Sequence, residues 1–598
     1  MTTDELGFDP EELRRKYRQE RDKRMRSDGY RQYVDVSGKF ETYDDDPYAE
    51  PMVEREPLTD EVDVVIVGGG MSGLQAGARL RDAGIPRIRI IDRAADVGGT
   101  WYWNRYPGIR CDVDSYIYLP LLEETGAMPT EKYAKGADIL AHCQRIARHY
   151  DLYSDAALQT RITSITWDED CLRWIVRTDR DDAMKARFVV LGSGPLNRPK
   201  LPGIPGLDTF TGHAFHSARW DYAYTGGDPD GNLTGLRGKR VGIIGTGASC
   251  VQIAPRVAEW AEHLTVFQRT PSAVDVRDNR PTDPEWVKSL TPGWQKRRMV
   301  NFDSIMIGIP QNEDLVADRW TDVWGKLAVW ASSKAAVVET DPQALMQLAD
   351  FEKMEEIRAR VDSIVEDPAT AEALKPYYNL FCKRPLYSDE FLQTFNRPNV
   401  TLVDTDGRGV DRITETGVQV GDDVHEVDCL IYATGFNVGA PAYESGGFEV
   451  FGRGGVNLAK DWADGVHSLH GIYSNGFPNM FVIGGITQAA VTINFPHILG
   501  EQAAFVAQVI KRCMADGIAA MEIRQEAEQR WAEIMASKAV DRGQFERECT
   551  PGYYNNEGLD DRPSLFGRTY GGGPFEYLQI CHEWLATDFE RDTDLILD

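Results

Sequence analysis

Long apolar segments are missing from this chain of 598 residues. No run approaches the roughly 18 apolar residues that cross a bilayer, and the opening residues contain no apolar core of a secretion signal. The sequence therefore predicts a cytoplasmic protein that does not enter a membrane.

Positive charge is also scarce. The chain has 66 Lys and Arg against 94 Asp and Glu, which gives a net charge of −28. Because binding to nucleic acid depends on clustered positive charge, this balance removes nucleic acid from the expected partners. We expect a small-molecule substrate and a monomer or weak homo-oligomer.

Paired cysteines are the third absence. The nine cysteines are scattered without a C-x-x-C pair, which is the pattern of reduced thiols and not of a disulfide or zinc framework. We therefore expect free thiols and no metal site.

The chain is too long for one hydrophobic core, since a single core stops growing at about 250 to 300 residues. Residues 1–60 form an N-terminal extension, predicted as a solvated helix followed by an extended arm. Residues 61–195 and 390–598 are assigned to a first nucleotide-binding domain and 196–389 to a second. Within the second, the glycine-poor segment 285–376 predicts a helical insertion.

A strand–turn–helix–strand unit begins at Val62, where a short β-branched run ends in Gly68, Gly70 and Gly73. The first glycine permits a tight turn, the second lets a pyrophosphate approach the backbone, and the third lets helix and strand pack closely. Asp92 stands 19 residues after Gly73, at the end of the second strand, where a carboxylate can bind ribose hydroxyls. The unit predicts a site for FAD or NAD.

The same pattern returns about 175 residues later with two changes. Its turn has Gly245, Thr246, Gly247 and Ser249, but the third glycine is replaced by Cys250. Its second strand ends in Arg269 and Thr270 instead of an acid, which suits the 2′-phosphate of NADPH. The fold class is therefore α/β, with two Rossmann-like dinucleotide-binding domains and a helical insertion, and two bound cofactors imply internal hydride transfer.

One segment resembles a known family. Its motif residues are Phe210, Gly212, His216, Trp220 and Asp221, which fit the F-x-G-x-x-x-H-x-x-x-W-[P/D] signature of type I Baeyer–Villiger monooxygenases. The segments GGTWYW (98–103), RYPG (105–108), FQRTP (267–271), KRP (383–385) and ATGF (433–436) are similar to the family in the same order.

The resemblance implies tightly bound FAD, exchanging NADPH/NADP⁺ and O₂ as co-substrate. In such enzymes a C4a-peroxyflavin attacks a ketone and gives an ester or lactone. The match implies that Arg384 stabilises the peroxide, that Asp112 orients Arg384, and that Lys383 joins Arg269 and Thr270 at the 2′-phosphate. It places Gly99, Thr100, Trp101, Tyr118 and Ile162 at the FAD and gives His216 a structural and gating role.

Three alternatives stay open at this point. A flavin disulfide reductase would need a redox cysteine pair, and Cys111 stands alone after the first unit. An N- or S-oxidising flavin monooxygenase shares the shorter form of the signature, without Trp220-Asp221. A nucleotide-binding protein without turnover is the third. The extension and length resemble the branch of phenylacetone, steroid and large-ring ketone oxidisers, which favours a bulky or large-ring ketone.

Overall fold

A computed structural model describes residues 7–334, 342–438, 447–485, 487–559 and 564–598. The N-terminal extension forms helix Pro10–Asp22, whose first turn is capped by the carboxylate of Asp9. Leu13 and Tyr17 of this helix are buried against Phe351. The expected helix is confirmed, but its apolar side packs on the helical insertion and is not solvated.

The rest of the extension crosses the molecule as an irregular arm. Strand Tyr33–Asp35 pairs antiparallel with Lys200–Pro202. It is preceded by a 3₁₀ turn at Gly29–Gln32 and followed by another at Gly38–Asp44. The arm therefore reaches the start of the segment that leads into the second nucleotide unit.

The first unit contains the expected parallel strands Glu61–Val67 and Ile88–Ile91, joined by helix Met71–Asp82. Apolar side chains on both faces of the two strands are buried, as the β-branched run predicts, and so are the apolar side chains of the helix. The sheet has seven strands, the other five being Ile162–Asp168, Arg173–Thr178, Ala183–Leu191, Glu449–Phe451 and Met480–Val482.

The second unit is a parallel sheet of five strands, in the order Val400–Asp404, His263–Gln268, Arg240–Ile244, Cys429–Tyr432 and His213–His216. Helix Ala248–Ala258 follows its glycine turn. The predicted domain boundary at residue 389/390 is wrong, because the strands at 400–404 and 429–432 belong to this sheet. A short buried strand does not show in its own sequence which sheet it joins.

The segment between strands Val274–Asp275 and Leu386–Tyr387, which pair with each other, consists in its described part of helices joined by irregular stretches. Its helices are Pro284–Ser289, Trp294–Met306, Asp322–Lys334, Pro342–Ile364 and Pro368–Leu374. A three-stranded antiparallel sheet, Arg412–Ile413, Gly417–Val420 and Asp423–Glu426, lies farther along the chain.

The C-terminal part returns to the first unit. Helix Phe495–Ala515 packs on helix Met71–Asp82, and strand Ile518–Ile523 pairs with Thr593–Leu597. The remaining α-helices of the described residues are Thr100–Trp103, Ser115–Tyr118, Leu122–Thr125, Gly136–His149, Tyr222–Thr225, Phe391–Thr394, Leu458–Asp461, Gln525–Ser537, Gly543–Glu548, Gly573–Glu583 and Phe589–Asp592. None of the helices in the described ranges is both long and apolar enough to span a bilayer.

The expectation of free thiols throughout is wrong for one pair. Cys382 and Cys549, 167 residues apart, form a disulfide between buried side chains. The spacing of the cysteines gave no signal because the pair is brought together only by the return of the C-terminal segment. The other seven cysteines are free.

Candidate active site

The first glycine turn has the geometry that its sequence predicts. Gly68 has φ +99°, and a Cβ on Gly73 would lie 1.9 Å from the Gly68 carbonyl oxygen. Any side chain at Gly73 would therefore separate the helix from the strand. Gly99 is restricted as well, since a Cβ on it would lie 2.7 Å from the Gly70 Cα.

A large cavity opens at this turn. The predicted FAD residues Gly68, Gly70, Asp92, Gly99, Thr100, Trp101, Tyr118 and Ile162 line it. Trp101 Nε1 donates to the Tyr118 hydroxyl at 3.2 Å, which fixes both rings. Ser193 also lines the cavity, and its buried hydroxyl has no hydrogen-bond partner among the described residues. A glycine-lined cradle with an unsatisfied hydroxyl fits a dinucleotide.

Asp92 lies at the end of the second strand, as predicted. Its carboxylate accepts hydrogen bonds from the backbone N–H groups of Gly69 at 2.6 Å and Ala94 at 2.8 Å. Burial raises the pKa of Asp92, whereas the two N–H donors act to lower it. The group is held in one orientation at the cavity wall.

The second glycine turn is built in the same way. Gly245 has φ +104°, and a Cβ on it would lie 2.6 Å from the Ala433 carbonyl oxygen, whereas Gly247 faces open space. Cys250, in the place of the third glycine, is fully buried in the core behind the turn. The Thr246 hydroxyl donates to the Thr270 carbonyl at 2.7 Å, which joins the turn to the end of the second strand.

The last predicted residue of this turn, Ser249, lies on the helix that follows. Its side chain interacts with the hydroxyl of Tyr106, from the RYPG segment of the first unit. It therefore connects the two nucleotide units.

Cations surround the end of this second strand. The structure brings together the predicted Arg269 and Lys383 and adds two that sequence reasoning missed, Arg24 and Lys200. Burial, reinforced by Arg269, lowers the pKa of Lys383 to about 8. The Thr270 hydroxyl is buried without a hydrogen-bond partner among the described residues. Cations that repel each other beside an unsatisfied hydroxyl fit the binding of a phosphate group.

Arg384 and Asp112, 272 residues apart in sequence, meet at the edge of the large cavity. The guanidinium contacts both carboxylate oxygens, with Nε 3.3 Å from Oδ2 and Nη2 bonded to Oδ1. Burial acts to lower the pKa of Arg384, but the Asp112 carboxylate outweighs it and raises that pKa well above its usual value. The Arg384 side chain is 41% exposed, against 12% for Asp112. The site therefore presents a permanent positive charge that an anion in the cavity can reach.

Known proteins share this architecture. Residues 65–301 match the family described as pyridine nucleotide-disulphide oxidoreductase. The chain is 52% identical to neopentalenolactone D synthase of Streptomyces avermitilis, over 98% of this chain and 99% of the relative, and 49% identical to a Baeyer–Villiger monooxygenase of Streptomyces coelicolor, over 96% and 95%. The chain belongs to the Baeyer–Villiger monooxygenases.

Solved structures agree with this assignment. The polycyclic ketone monooxygenase of the fungus Thermothelomyces thermophila matches with a TM-score of 0.91 and 38% identity, covering 98% of this chain and 99% of that one. A steroid monooxygenase bound to NADP matches with a TM-score of 0.73 and 31% identity, covering 90% and 100%. The predicted fold class and the resemblance to this monooxygenase family are confirmed.

Two signature residues of this Baeyer–Villiger monooxygenase, His216 and Trp220, are buried and hydrogen-bonded within the protein. His216 is fully buried, its Nδ1 accepts from the Ala218 N–H at 3.1 Å, and burial lowers its pKa to about 3. It is therefore neutral at ordinary pH. Trp220 is also buried, and its backbone N–H donates to the hydroxyl of Tyr48 in the N-terminal arm at 3.1 Å.

The other signature residues shape the same segment. A Cβ on Gly212 would lie 2.5 Å from the ring of Phe210 and 2.8 Å from the Asp428 carbonyl oxygen. Asp221 caps helix Tyr222–Thr225 and bonds His213 Nε2 at 2.9 Å. None of these contacts places the motif at the wall of the large cavity, so the expected structural role fits the geometry.

Three aromatic residues beside Arg384 were missed in the sequence. Trp320, from the helical insertion, donates to the Asp112 carbonyl at 2.7 Å and lies with its ring 5.9 Å from the Arg384 guanidinium carbon. Tyr553 and Tyr554, from the C-terminal part, line the same cavity. No motif marks them, because their roles depend on contacts across about 170 to 210 residues.

Proposed function

We propose that this enzyme uses NADPH and bound FAD to insert one oxygen atom of O₂ beside the carbonyl of a bulky, polycyclic ketone, giving an ester or lactone. The observation that carries the proposal is Arg384, which lies at the wall of the cavity that begins at the first glycine turn and is paired with Asp112. When both cofactors are bound, FAD that has been reduced by NADPH would supply the activation of O₂.

The chain's own residues give that chemistry its electrostatic setting. A guanidinium stays charged at working pH, so Arg384 stabilises a developing anion without giving up its proton to it. Asp112 fixes the direction of the guanidinium, and Trp320 fixes Asp112 through its backbone. A preorganised charge of this kind contributes about 10²- to 10³-fold to a rate.

The two nucleotide sites support the assignment of the cofactors. Asp92 suits a ribose with free hydroxyls, which favours FAD at the first turn. The cations at Arg269, Lys383 and Lys200 suit a 2′-phosphate, which favours NADPH at the second.

Related enzymes support a bulky substrate. One neighbour is named a polycyclic ketone monooxygenase, and a relative from Aspergillus clavatus, 42% identical over 97% of this chain, is named ketocytochalasin monooxygenase. The large aromatic side chains of Trp320, Tyr553 and Tyr554 provide apolar faces beside Arg384, and these can bind fused rings.

A panel of ketones tests the proposal. Flavin-loaded enzyme, NADPH and ¹⁸O₂ are supplied with fused-ring ketones, small cyclic ketones, a thioether and a tertiary amine, and products are identified by mass spectrometry. We expect one labelled oxygen in an ester or lactone, fastest with fused-ring ketones. Labelled S- or N-oxide with no ester would favour the alternative N- or S-oxidising monooxygenase, and NADPH consumption without any oxygenated product would overturn both.

A further inference from the structure

A buried carboxylate lies inside the cation cluster at the end of the second unit. The Glu557 side chain is 2% exposed, its Oε2 lies 3.7 Å from Arg269 Nη2, and its Oε1 lies 3.8 Å from Lys200 Nζ. The hydroxyl of Tyr33 also donates to Oε1 at 3.3 Å. Burying a carboxylate is costly unless cations and donors compensate it, so this placement requires the cluster around it.

Glu557 is more deeply buried than the two cations with which it pairs. The Arg269 side chain is 27% exposed, whereas Glu557 is sealed from solvent. Arg269 is held from the same buried side by Gln32, whose side-chain carbonyl accepts from Nη1. The two anchors leave the open side of the guanidinium for a ligand, so Glu557 supports Arg269 and does not occupy the place of an incoming anion.

The segment that carries Glu557 is fixed at several points. It starts at Cys549, whose disulfide partner Cys382 directly precedes Lys383. The side chain of Asn555 accepts from the Gly552 N–H at 2.9 Å, and the Glu557 N–H donates to the Gly552 carbonyl at 2.8 Å. Asn556 and Glu557 both adopt left-handed backbone conformations, with φ of 56° and 54°. Non-glycine residues adopt this conformation at an energetic cost, and such strain concentrates at functional sites.

We infer that Glu557 is a positioning residue for NADPH specificity, holding Arg269 and Lys200 in place for the 2′-phosphate. This inference rests on the proposed use of NADPH. Gln32 is the uncharged counterpart of Glu557 from the N-terminal arm. Two distant ends of the chain therefore complete a site whose glycine turn lies in the middle of the sequence.

Glu557 also sets the charge of the cluster. Burial lowers the pKa of both Lys200 and Lys383 to about 8, Arg269 acts in the same direction, and Glu557 opposes the shift. Without Glu557 both pKa values fall further, so the lysines lose their protons at a lower pH. The titratable and charged groups that face Glu557 or these lysines are Arg24, Tyr30, Tyr33, Lys200, Arg269 and Lys383, and Arg26 in turn faces Arg269.

Calorimetric binding of two adenosine nucleotides to the flavin-loaded protein tests the inference. Adenosine 2′,5′-diphosphate carries the 2′-phosphate, and 5′-AMP lacks it. For Glu557→Gln we expect the Kd of adenosine 2′,5′-diphosphate to rise about tenfold at pH 8.5 and less than about threefold at pH 6.5, with that of 5′-AMP within about twofold at both. Glu546→Gln is the matched control, since Glu546 lies in the same part of the chain and accepts from Ser564 outside the cation cluster.

A second variant separates position from charge. Gln32→Ala removes the other anchor of Arg269 without changing the charge, so we expect a similar loss of affinity for the 2′-phosphate at both pH values. It also gives a measurement if Glu557→Gln does not fold. Unchanged or tighter binding of adenosine 2′,5′-diphosphate at pH 8.5 in folded Glu557→Gln, or in Gln32→Ala if Glu557→Gln fails to fold, would overturn the inference. If the unaltered protein binds the two nucleotides equally, the proposed use of NADPH fails instead.

Discussion

The two glycine turns of this monooxygenase are alike, but the ends of their second strands differ. In the first unit Asp92 accepts hydrogen bonds from two backbone N–H groups, and its carboxylate lies at the cavity wall. In the second unit Arg269 occupies the corresponding place among further cations. We propose that the turn serves a pyrophosphate in both cases and that the residue after the second strand selects between a ribose hydroxyl and a 2′-phosphate.

The two sites also differ in how far their residues lie from each other along the chain. The turn, Asp92 and the Gly99–Trp101 segment of the first site fall within about 35 residues. The second site draws Gln32 and Arg24 from the N-terminal arm and Glu557 from the C-terminal part. The turn and the acid of the first site are therefore close in sequence, although its cavity wall also includes the distant Arg384 and Tyr553. The cation cluster of the second site needs residues from both ends of the chain.

The largest effect is expected at Arg384, which lines the cavity of the first site beside the lysine assigned to the second. Arg384→Ala removes the fixed positive charge, so ester formation should fall by about 10²- to 10³-fold while FAD stays bound. Product yield per NADPH oxidised measures the effect. Arg15→Ala, on an exposed face of the N-terminal helix, is the control. Ester formation at the original rate would contradict the assigned role.

A change at Arg269 should most directly remove the difference in charge between the two sites. Arg269→Ala removes a charged partner of the 2′-phosphate, which is worth about 1.5 to 3 kcal/mol, so the KM for NADPH should rise by about 10- to 100-fold. The KM for NADH should stay within about twofold. Steady-state kinetics with both nucleotides measure the ratio, and an equal rise for both would count against a 2′-phosphate contact.

The reciprocal change at Asp92 should act on the first site alone. Asp92→Asn keeps the size of the side chain but removes the charge that suits a ribose hydroxyl, and we expect FAD to bind about tenfold more weakly. Fluorescence of flavin released during dialysis measures the loss, and the KM for NADPH serves as the internal control. A raised KM for NADPH with full flavin content would reverse the assignment of the two sites.

The smallest effect is expected at His497, in the interface between the helical insertion and the helix that covers the first unit. Its Nδ1 bonds Asp303 at 2.6 Å, and its Nε2 lies 3.7 Å from Glu501. Burial acts to lower the pKa of His497, but the two carboxylates raise it to about 9. Because the folded-state pKa lies above the unfolded value of about 6.5, this stabilisation is complete below about pH 6.5 and is lost as the pH rises through about 9.

Thermal unfolding of His497→Gln and the unaltered protein at pH 6.5 and pH 10 checks this prediction. At pH 6.5 the free energy of unfolding of the unaltered protein should exceed that of His497→Gln by about 2 kcal/mol or less. This difference between the two proteins should shrink at pH 10. The comparison between variants at each pH cancels the general effect of alkali. A difference that does not change with pH would show that His497 contributes through packing alone.

Both glycine turns could be predicted because their requirements are local. Gly68 and Gly245 have positive φ, and a Cβ on Gly73 would collide with the Gly68 carbonyl oxygen, so these requirements lie within a few residues of each turn. The pairing of Arg384 with Asp112 was reached differently, through the family resemblance. The structure agrees, but no pattern in the residues alone predicts a contact across 272 positions.

The errors concern contacts between distant segments. The strands at 400–404 and 429–432 were assigned to the wrong sheet, and the Cys382–Cys549 disulfide was not expected. Trp320 and Glu557 were not recognised as site residues. Each depends on which surfaces meet when separate parts of the chain pack.

The sequence by itself determined two dinucleotide turns, the opposite charges at the ends of their second strands, and the family of enzyme. Local backbone geometry and residue charge fix those features, and both can be read over a short stretch of chain. Only the tertiary structure showed that Asp112 and Arg384 are in contact and that the two ends of the chain meet around Arg269. Such contacts follow from the combined packing of all elements, because a buried charge is tolerated only where the completed fold supplies its partner.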